Sequence, residues 1–267
     1  MSKNAGSFLN EENGEVVYRE TFNQGPGAWT QGKNHENGRW HRNVLGQRGE
    51  GLALEWSSAG GRTGGYAYTE SPWYFDDNHG EFMWFHLPMT ARSDMADEKG
   101  IGDIIASGRV PDKDLRDAIL RITLRGKNLE LNGTRLMPWI EGWGGRRGNL
   151  YAPGNPLFCW GLASQSASKE LLDNGWHEVA FKLTDDEEQW SSFGLINGGL
   201  TRKLRVVQSL TVATGTLPHI LDRHYYCIGF ILGPLDPNNL PSGRIDVDEI
   251  SITLRPDNIV KPLSLAP

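Results

Sequence analysis

The chain has 267 residues, a formal net charge of −6 at pH 7, and high counts of tryptophan (10) and glycine (33). Its acidic balance, with a pI near 5.7, argues against a nucleic-acid-binding surface, which is normally basic. No apolar run approaches the ~18 residues of a membrane span. We therefore expect neither a nucleic acid nor a membrane as a partner, while the oligomeric state stays open.

The N-terminal residues 1–17 lack the apolar core of a signal peptide. We predict a cytoplasmic protein if this N-terminus is native, and a secreted one if a signal peptide has been removed. Cys159 and Cys227 lie inside apolar, strand-like runs. They are interpreted as buried thiols, and a disulfide between them is left open because spacing does not reveal pairing.

The first part of the chain predicts short strands separated by turns rich in glycine and proline. The predicted strands are 16–22, 38–44, 51–56, 65–68 and 81–87. Residues 88–117 carry charges of both signs without a clean period. They are predicted as an excursion with one short helix near 111–117, which Pro111 would open.

A hairpin is predicted at 118–143. Its first strand alternates Leu120, Ile122 and Leu124 with polar residues, and its second places Leu136 and Ile140 on one side. Side chains two apart on a strand share a face. The second strand therefore has an aliphatic side for a core, and a side whose aromatic and charged groups suit a polar, ring-shaped ligand. That second side carries Arg135, Met137, Trp139, Glu141 and Trp143.

The rest of the chain continues the pattern, with strands predicted at 157–162, 176–183, 225–232 and 244–254. One helical turn is predicted at 167–172, and 217–221 is ambiguous. Eleven to thirteen short strands without sustained helical periodicity predict an all-β fold, an antiparallel β-sandwich or jelly roll with one or two short helices. We predict a flexible N-terminus at 1–14, a single sandwich domain at 15–255 and an irregular tail at 256–267.

Three stretches resemble the concanavalin A-like and carbohydrate-binding-module jelly-roll superfamilies. They are ETFNQGPGAW near the start, RIDVDEISITL near the end, and the central LRGKNLELNG, LMPWIEG and WHEVAFKL segments. The resemblance implies the sandwich architecture. It implies no single activity, because these families include lectins, binding modules, glycoside hydrolases and polysaccharide lyases.

The leading interpretation is a carbohydrate-recognising protein that binds a glycan or glycoside on a concave aromatic face. Rings stack on the C–H faces of sugars, while a few convergent polar groups bond their hydroxyls. The alternative is that the tryptophans of β8 pack under the glycine-rich loop at 142–156 and the arginines are solvated, while the other tryptophans lie in the core. The predicted ligand-binding residues are Trp139 and Trp143 with Arg135, Arg146 and Arg147, and two further aromatic platforms, Trp40 with His41 and Trp73 with Tyr74.

The second interpretation is an enzyme, a glycoside hydrolase or polysaccharide lyase acting in the same cleft. Glu141, His79 and Glu81 are the candidate acid and base groups. A glycosidase needs two facing carboxylates, and the sequence contains no paired-carboxylate motif that would supply them. A third interpretation is a structural or interaction module whose tryptophans all lie in the core.

A possible calcium site is predicted in the closing strand. The apolar residues of this strand are odd-numbered before Asp248–Glu249 and even-numbered after it, which predicts a β-bulge there. A bulge can turn carboxylates and carbonyls toward a common point, as Ca²⁺ requires. The resemblance implies a structural calcium between the first and last strands, with Glu20 joining Asp246 and Asp248. The alternative is an edge strand protected by its charges.

Overall fold

The computed structural model describes residues 14–27, 29–31, 52–71, 83–88, 113–143, 157–168, 171, 173–195, 217–222, 225–233 and 238–255. The strands are β1 (Glu15–Glu20), β2 (Thr30–Gln31), β3 (Leu52–Ala53), β4 (Glu55–Ser57), β5 (Tyr66–Glu70), β6 (Met83–Pro88), β7 (Ile119–Glu130), β8 (Arg135–Trp143), β9 (Leu157–Gly161), β10 (His177–Lys182), β11 (Ser191–Leu195), β12 (Tyr225–Gly233) and β13 (Ser242–Leu254). A 3₁₀ turn at Glu187–Gln189 and a five-residue helix, α1 (Leu217–Leu221), are the helical elements among these residues.

The described strands form two antiparallel sheets. A six-stranded sheet has the order β10-β7-β13-β5-β4, with β1 also paired to β13, and a seven-stranded sheet has the order β11-β9-β8-β12-β6-β2-β3. One apolar core cluster takes Ile122, Leu124 and Ile250 from the first sheet and Ile140 and Phe230 from the second. The prediction of an all-β, antiparallel β-sandwich is therefore confirmed.

The hairpin predicted at 118–143 is present as β7 and β8. Asn132 and Gly133, both with positive φ, make the turn between them. Asn and Gly tolerate this left-handed backbone better than other residues. The aliphatic side chains of both strands enter the core, as alternation predicts. The apolar run at 225–232 is also central, because β12 pairs with β6 on one side and β8 on the other.

Other local predictions need correction. The strand predicted at 51–56 is two strands in different sheets, β3 and β4, because the buried Leu54 between them turns into the core and its N–H donates to the carbonyl of Trp29 (3.2 Å). Residues 113–117 form a turn instead of a helix, and Asp117 has a φ of +60°. Ala167 bridges Leu136 as an isolated β-pair instead of starting a helical turn. The ambiguous 217–221 is helical.

The register of the seven-stranded sheet bears on the two cysteines. Cys227 of β12 and Cys159 of β9 both lie opposite Glu141 of β8, one on each side. Two strand spacings separate their Cα atoms by about 10 Å. A disulfide needs a separation below about 7 Å, so this register does not permit a bridge.

Among the described residues, no helix is long and apolar enough to cross a membrane.

We expect Ile122→Ala to lower the free energy of unfolding by about 2–5 kcal/mol, because it leaves a cavity at a fully buried position in β7. Urea unfolding followed by tryptophan fluorescence measures the change. Val16→Ala is the matched control: Val16 is 55 % exposed, so its truncation should change stability by less than about 0.5 kcal/mol. An equal loss of unfolding free energy in Ile122→Ala and Val16→Ala would contradict the assignment of Ile122 to the core.

Candidate functional site

Trp139, one of the two tryptophans of the aromatic surface predicted on β8, does not meet solvent in the structure. Trp139 is only 1 % exposed, and its neighbours Met137 and Ile231 are equally buried although none of them joins the core between the sheets. Alternation along a strand shows which side chains share a face, but not whether that face meets solvent. Arg135 is exposed. For Glu141 and Trp143 the structure describes the backbone and not the side chains.

Several predicted residues lie outside the described part of the chain, and their roles remain predictions. They are Trp40, His41, Trp73, Tyr74, His79, Glu81, Arg146 and Arg147.

The β-bulge predicted in the closing strand is confirmed. The pairing of β13 with β7 shifts register between Val247 and Glu249, so Asp248 is the extra residue. Beyond the bulge, Ile250 and Ile252 continue the core face that Ile245 and Val247 begin. The bulge thus lets one long strand keep its apolar side inward despite the change of parity.

The three acids predicted as calcium ligands do not converge. Asp246 lies on the outer face of the six-stranded sheet, because its neighbours Ile245 and Val247 point into the core. Glu20 pairs with the core-facing Ile250 and so lies on the other face, where its Oε1 accepts the N–H of Phe22 (2.9 Å). In the part of the chain that the structure describes, no group of three or more His, Cys, Asp or Glu side chains could hold a metal ion.

Asp248 instead anchors the loop 58–65 between β4 and β5. Its carboxylate is 1 % exposed. Oδ1 accepts the N–H groups of Arg62 (2.8 Å) and Thr63 (3.3 Å), and Oδ2 accepts the hydroxyl of Thr63 (3.2 Å). A Cβ on Gly61 would lie 2.2 Å from Oδ1, so only glycine allows the carboxylate this close. The bulge therefore determines where the loop lies.

A groove of about 400 Å³ opens between this loop and the outer face of the six-stranded sheet. Two exposed ion pairs lie along it: Arg19 with Glu249 (3.0 Å) and Arg62 with Glu178 (3.8 Å). The remaining lining is mostly hydroxyl groups and backbone. The lining residues are Gly14, Val16, Arg19, Arg62, Thr63, Thr123, Glu178, Asp248, Glu249, Ser251 and Thr253.

The outer face also carries an arginine cluster, which we define as Tyr66, Tyr68, Arg125, Trp176, Arg244 and Asp246. At its centre the fully buried Asp246 accepts bonds from Arg125 Nε (2.7 Å) and Arg244 Nε (2.5 Å). A buried carboxylate is tolerated when it is paired and hydrogen-bonded in this way. Burial acts to lower the pKa of Arg244, but the bond to Asp246 and its charge raise it, and the net shift is upward.

Aromatic rings enclose the two guanidinium groups of the cluster. The Cζ of Arg125 lies 4.3 Å from the ring centroid of Trp176 and 5.3 Å from that of Tyr66. The Cζ of Arg244 lies 3.6 Å from the ring of Tyr68, and its Nη2 donates to the hydroxyl of Tyr66 (2.6 Å). Cation–π contacts of this kind hold both arginines in fixed positions.

The groove and the arginine cluster lie side by side on the outer face of the six-stranded sheet. Thr123 precedes Arg125 by two residues on β7, and Trp176 precedes Glu178 by two at the start of β10. On β13, Asp246 of the cluster likewise precedes Asp248 of the groove by two residues, across the bulge. Since alternate residues of a strand share a face about 7 Å apart, each strand runs from the cluster into the groove.

Sequence reasoning missed most of this surface. Arg62, Trp176 and Arg244 come from distant parts of the chain, and their own segments give no ligand-binding pattern. Strand alternation did predict that the polar residues of β7, which include Arg125, lie on the face opposite its core residues. The missing information is the pairing of β10, β7, β13 and β5, which brings their outer side chains together.

Comparisons with known proteins do not assign the chain to a family. No protein-family model matches, and no curated protein matches. Among solved structures, CtCBM11 is similar at 11 % identity and a TM-score of 0.41, covering 91 % of this chain and 95 % of that one. The xylan-binding module CBM15 is similar at 10 % identity and a TM-score of 0.31, covering 85 % and 90 %.

A third similar structure is that of the carbohydrate esterase vb_24B_21 from the Shiga toxin-encoding bacteriophage phi24B, at 10 % identity and a TM-score of 0.37, covering 91 % of this chain and 99 % of that one. With TM-scores below 0.5, none of the three similarities assigns a ligand or an activity to this chain.

We expect Asp248→Ala to release the loop 58–65, because the amides of Arg62 and Thr63 lose their buried acceptor. The free energy of unfolding should fall by about 1–3 kcal/mol. Hydrogen exchange at these two amides should become about tenfold faster for each 1.4 kcal/mol of local stability lost.

Asp248→Asn keeps one carbonyl acceptor and should show a smaller effect. Asp185→Ala, at an exposed aspartate, is the control and should leave exchange in the loop unchanged. Unaltered exchange at Arg62 and Thr63 in Asp248→Ala would show that the carboxylate does not anchor the loop.

Proposed function

We propose that the chain binds a saccharide on the outer face of the six-stranded sheet, in the groove and against the arginine cluster. The observation that supports this proposal is that a polar groove and partly exposed aromatic rings lie next to each other on a single sheet face. A sugar ring presents hydroxyls at its edge and C–H groups on its faces. It therefore matches a surface that offers both directional polar groups and rings.

The polar groups of the groove suit hydroxyl recognition. Carboxylates accept hydrogen bonds, guanidinium groups donate them, and the hydroxyls of Thr123 and Ser251 do both. The pairing of Arg19 with Glu249 and of Arg62 with Glu178 restricts these long side chains before a ligand arrives. Such restriction reduces the entropy lost on binding.

The rings of the cluster offer the second kind of contact. Trp176 and Tyr68 are partly exposed. The arginines beneath and beside them fix their orientation, so a sugar would meet rigid surfaces. This site replaces β8 as the leading candidate because Trp139 is buried, whereas the groove and cluster keep accessible polar and aromatic groups.

A second candidate function is hydrolysis of a glycosidic bond. Glu178 of β10 and Glu249 of β13 both lie opposite Thr123 of β7, one on each side. Their Cα atoms are therefore about 10 Å apart, a spacing from which two glutamate side chains can bring their carboxyl groups to the separation of about 6.5–9.5 Å found in inverting glycosidases. Each of the two glutamates is paired with an arginine. This pairing favours two carboxylates that both accept hydrogen bonds, whereas hydrolysis needs one acid and one base.

We expect Glu178→Ala to weaken saccharide binding about tenfold, equivalent to about 1.4 kcal/mol, because the groove loses an acceptor and the restraint on Arg62. A glycan array with the intact protein identifies ligands, and titration calorimetry measures the affinity of each variant. Glu178 is half exposed, so the substitution should leave the fold intact.

Glu188→Ala provides the control, since Glu188 is an exposed glutamate in the 3₁₀ turn and should bind like the unmodified protein. Binding to no saccharide on the array would overturn the proposal. Turnover of a bound oligosaccharide that Glu178→Gln abolishes, with binding retained, would instead support the hydrolase.

A further inference from the structure

Arg125 has hydrogen-bonding capacity that the described residues leave unused. Its Nε donates to Asp246, and its guanidinium lies against the rings of Trp176 and Tyr66. Among the residues that the structure describes, neither Nη1 nor Nη2 has an acceptor. The side chain is 23 % exposed, so these four N–H donors belong to a group that is mostly desolvated but still reachable.

The arginines of the cluster are paired differently from those of the groove. In the groove, each of Arg19 and Arg62 has a glutamate partner. In the cluster, Arg125 and Arg244 share the single carboxylate of Asp246, and the acidic Glu70 lies opposite Arg244, on the side of the cluster away from Arg125. Electrostatic attraction is stronger at a partly buried charge than at an exposed one, so the partly buried guanidinium of Arg125 favours an anionic group.

The geometry of the free N–H donors of Arg125 indicates which kind of anion would bind there. The terminal nitrogens of a guanidinium form a planar fork that matches the two oxygens of a carboxylate. The contacts with Asp246, Trp176 and Tyr66 hold the fork in place, so little side-chain entropy remains to be lost. A single sugar hydroxyl would occupy only one of the four N–H donors.

We propose that the saccharide carries a carboxylate, as a uronic acid does, and that Arg125 Nη1 and Nη2 bind it. This inference rests on the proposed saccharide-binding function and adds the ligand class. The acidic residue lies at the arginine cluster, with its ring beside Trp176, and the adjoining residues of the chain extend into the groove. Arg125 is then the residue that determines specificity, and the groove contributes contacts to hydroxyls.

The test varies the ligand first, so that the fold of the protein is not at issue. Calorimetry compares short oligogalacturonides and oligoglucuronides with their methyl esters, which keep every hydroxyl and lose the charge, and with neutral oligosaccharides of equal length. The acidic ligand should bind at least about tenfold more tightly than its ester. Its affinity should fall as salt rises from 0.05 to 0.5 M, owing to screening, whereas any binding of the ester should be insensitive to salt.

The second arm varies Arg125. Arg125→Lys keeps a positive charge near Asp246 and loses the fork, so it should weaken binding of the acidic ligand about tenfold and bring its affinity down to that of the methyl ester. Arg255→Gln removes one exposed positive charge about 30 Å along β13 from Asp246. It serves as the charge control and should bind the acidic ligand like the unmodified protein.

The outcomes separate the two proposals. Binding of neutral saccharides or methyl esters at least as tight as that of the acids would overturn this inference and leave saccharide binding standing. Binding of none of these ligands would overturn both. An acid preference that persists in Arg125→Lys would contradict the role of the fork.

Discussion

The bulge at Asp248 is the constraint on which the outer face depends. Strand β13 pairs with β7 along most of its length and also with β5 and β1, so any change in its parity affects three neighbours. The extra residue absorbs that change while Val247 and Ile250 both remain in the core. Its buried carboxylate then anchors the loop that forms one wall of the groove. The bulge thus keeps the apolar side chains of β13 in the core and also positions one wall of the groove.

Buried charge organises the adjoining part of the same face. Asp246 has no exposed surface, yet it lies on the outer side of the sheet because arginines and aromatic rings cover it. Removing one partner of such a group costs about 3–5 kcal/mol, since the remaining charge is left buried. The cluster is therefore a rigid element of the fold as well as a candidate binding surface. The unused N–H donors of Arg125 are the feature that points to binding, because the structural role does not require them.

Prediction from the sequence succeeded where a local pattern carried the information. Alternation identified the core sides of β7 and β8, the apolar run identified the central β12, and the change of parity in β13 identified the bulge. Prediction was less successful where the outcome depended on neighbours. Trp139 shares no face with the core residues of β8, as alternation implied, but it is buried all the same. The acids Glu20 and Asp246 looked like partners and lie on opposite faces of one sheet.

The sequence by itself determined the fold class, the sides of the principal strands that face the core, and the position of the bulge, because each follows from the order of neighbouring side chains. Only the tertiary structure decided which outer side chains meet. Pairing of β10, β7, β13 and β5 brings Trp176, Arg125, Asp246 and Tyr66 together from positions up to 180 residues apart. That register is set by packing of the whole core, so no short segment contains it.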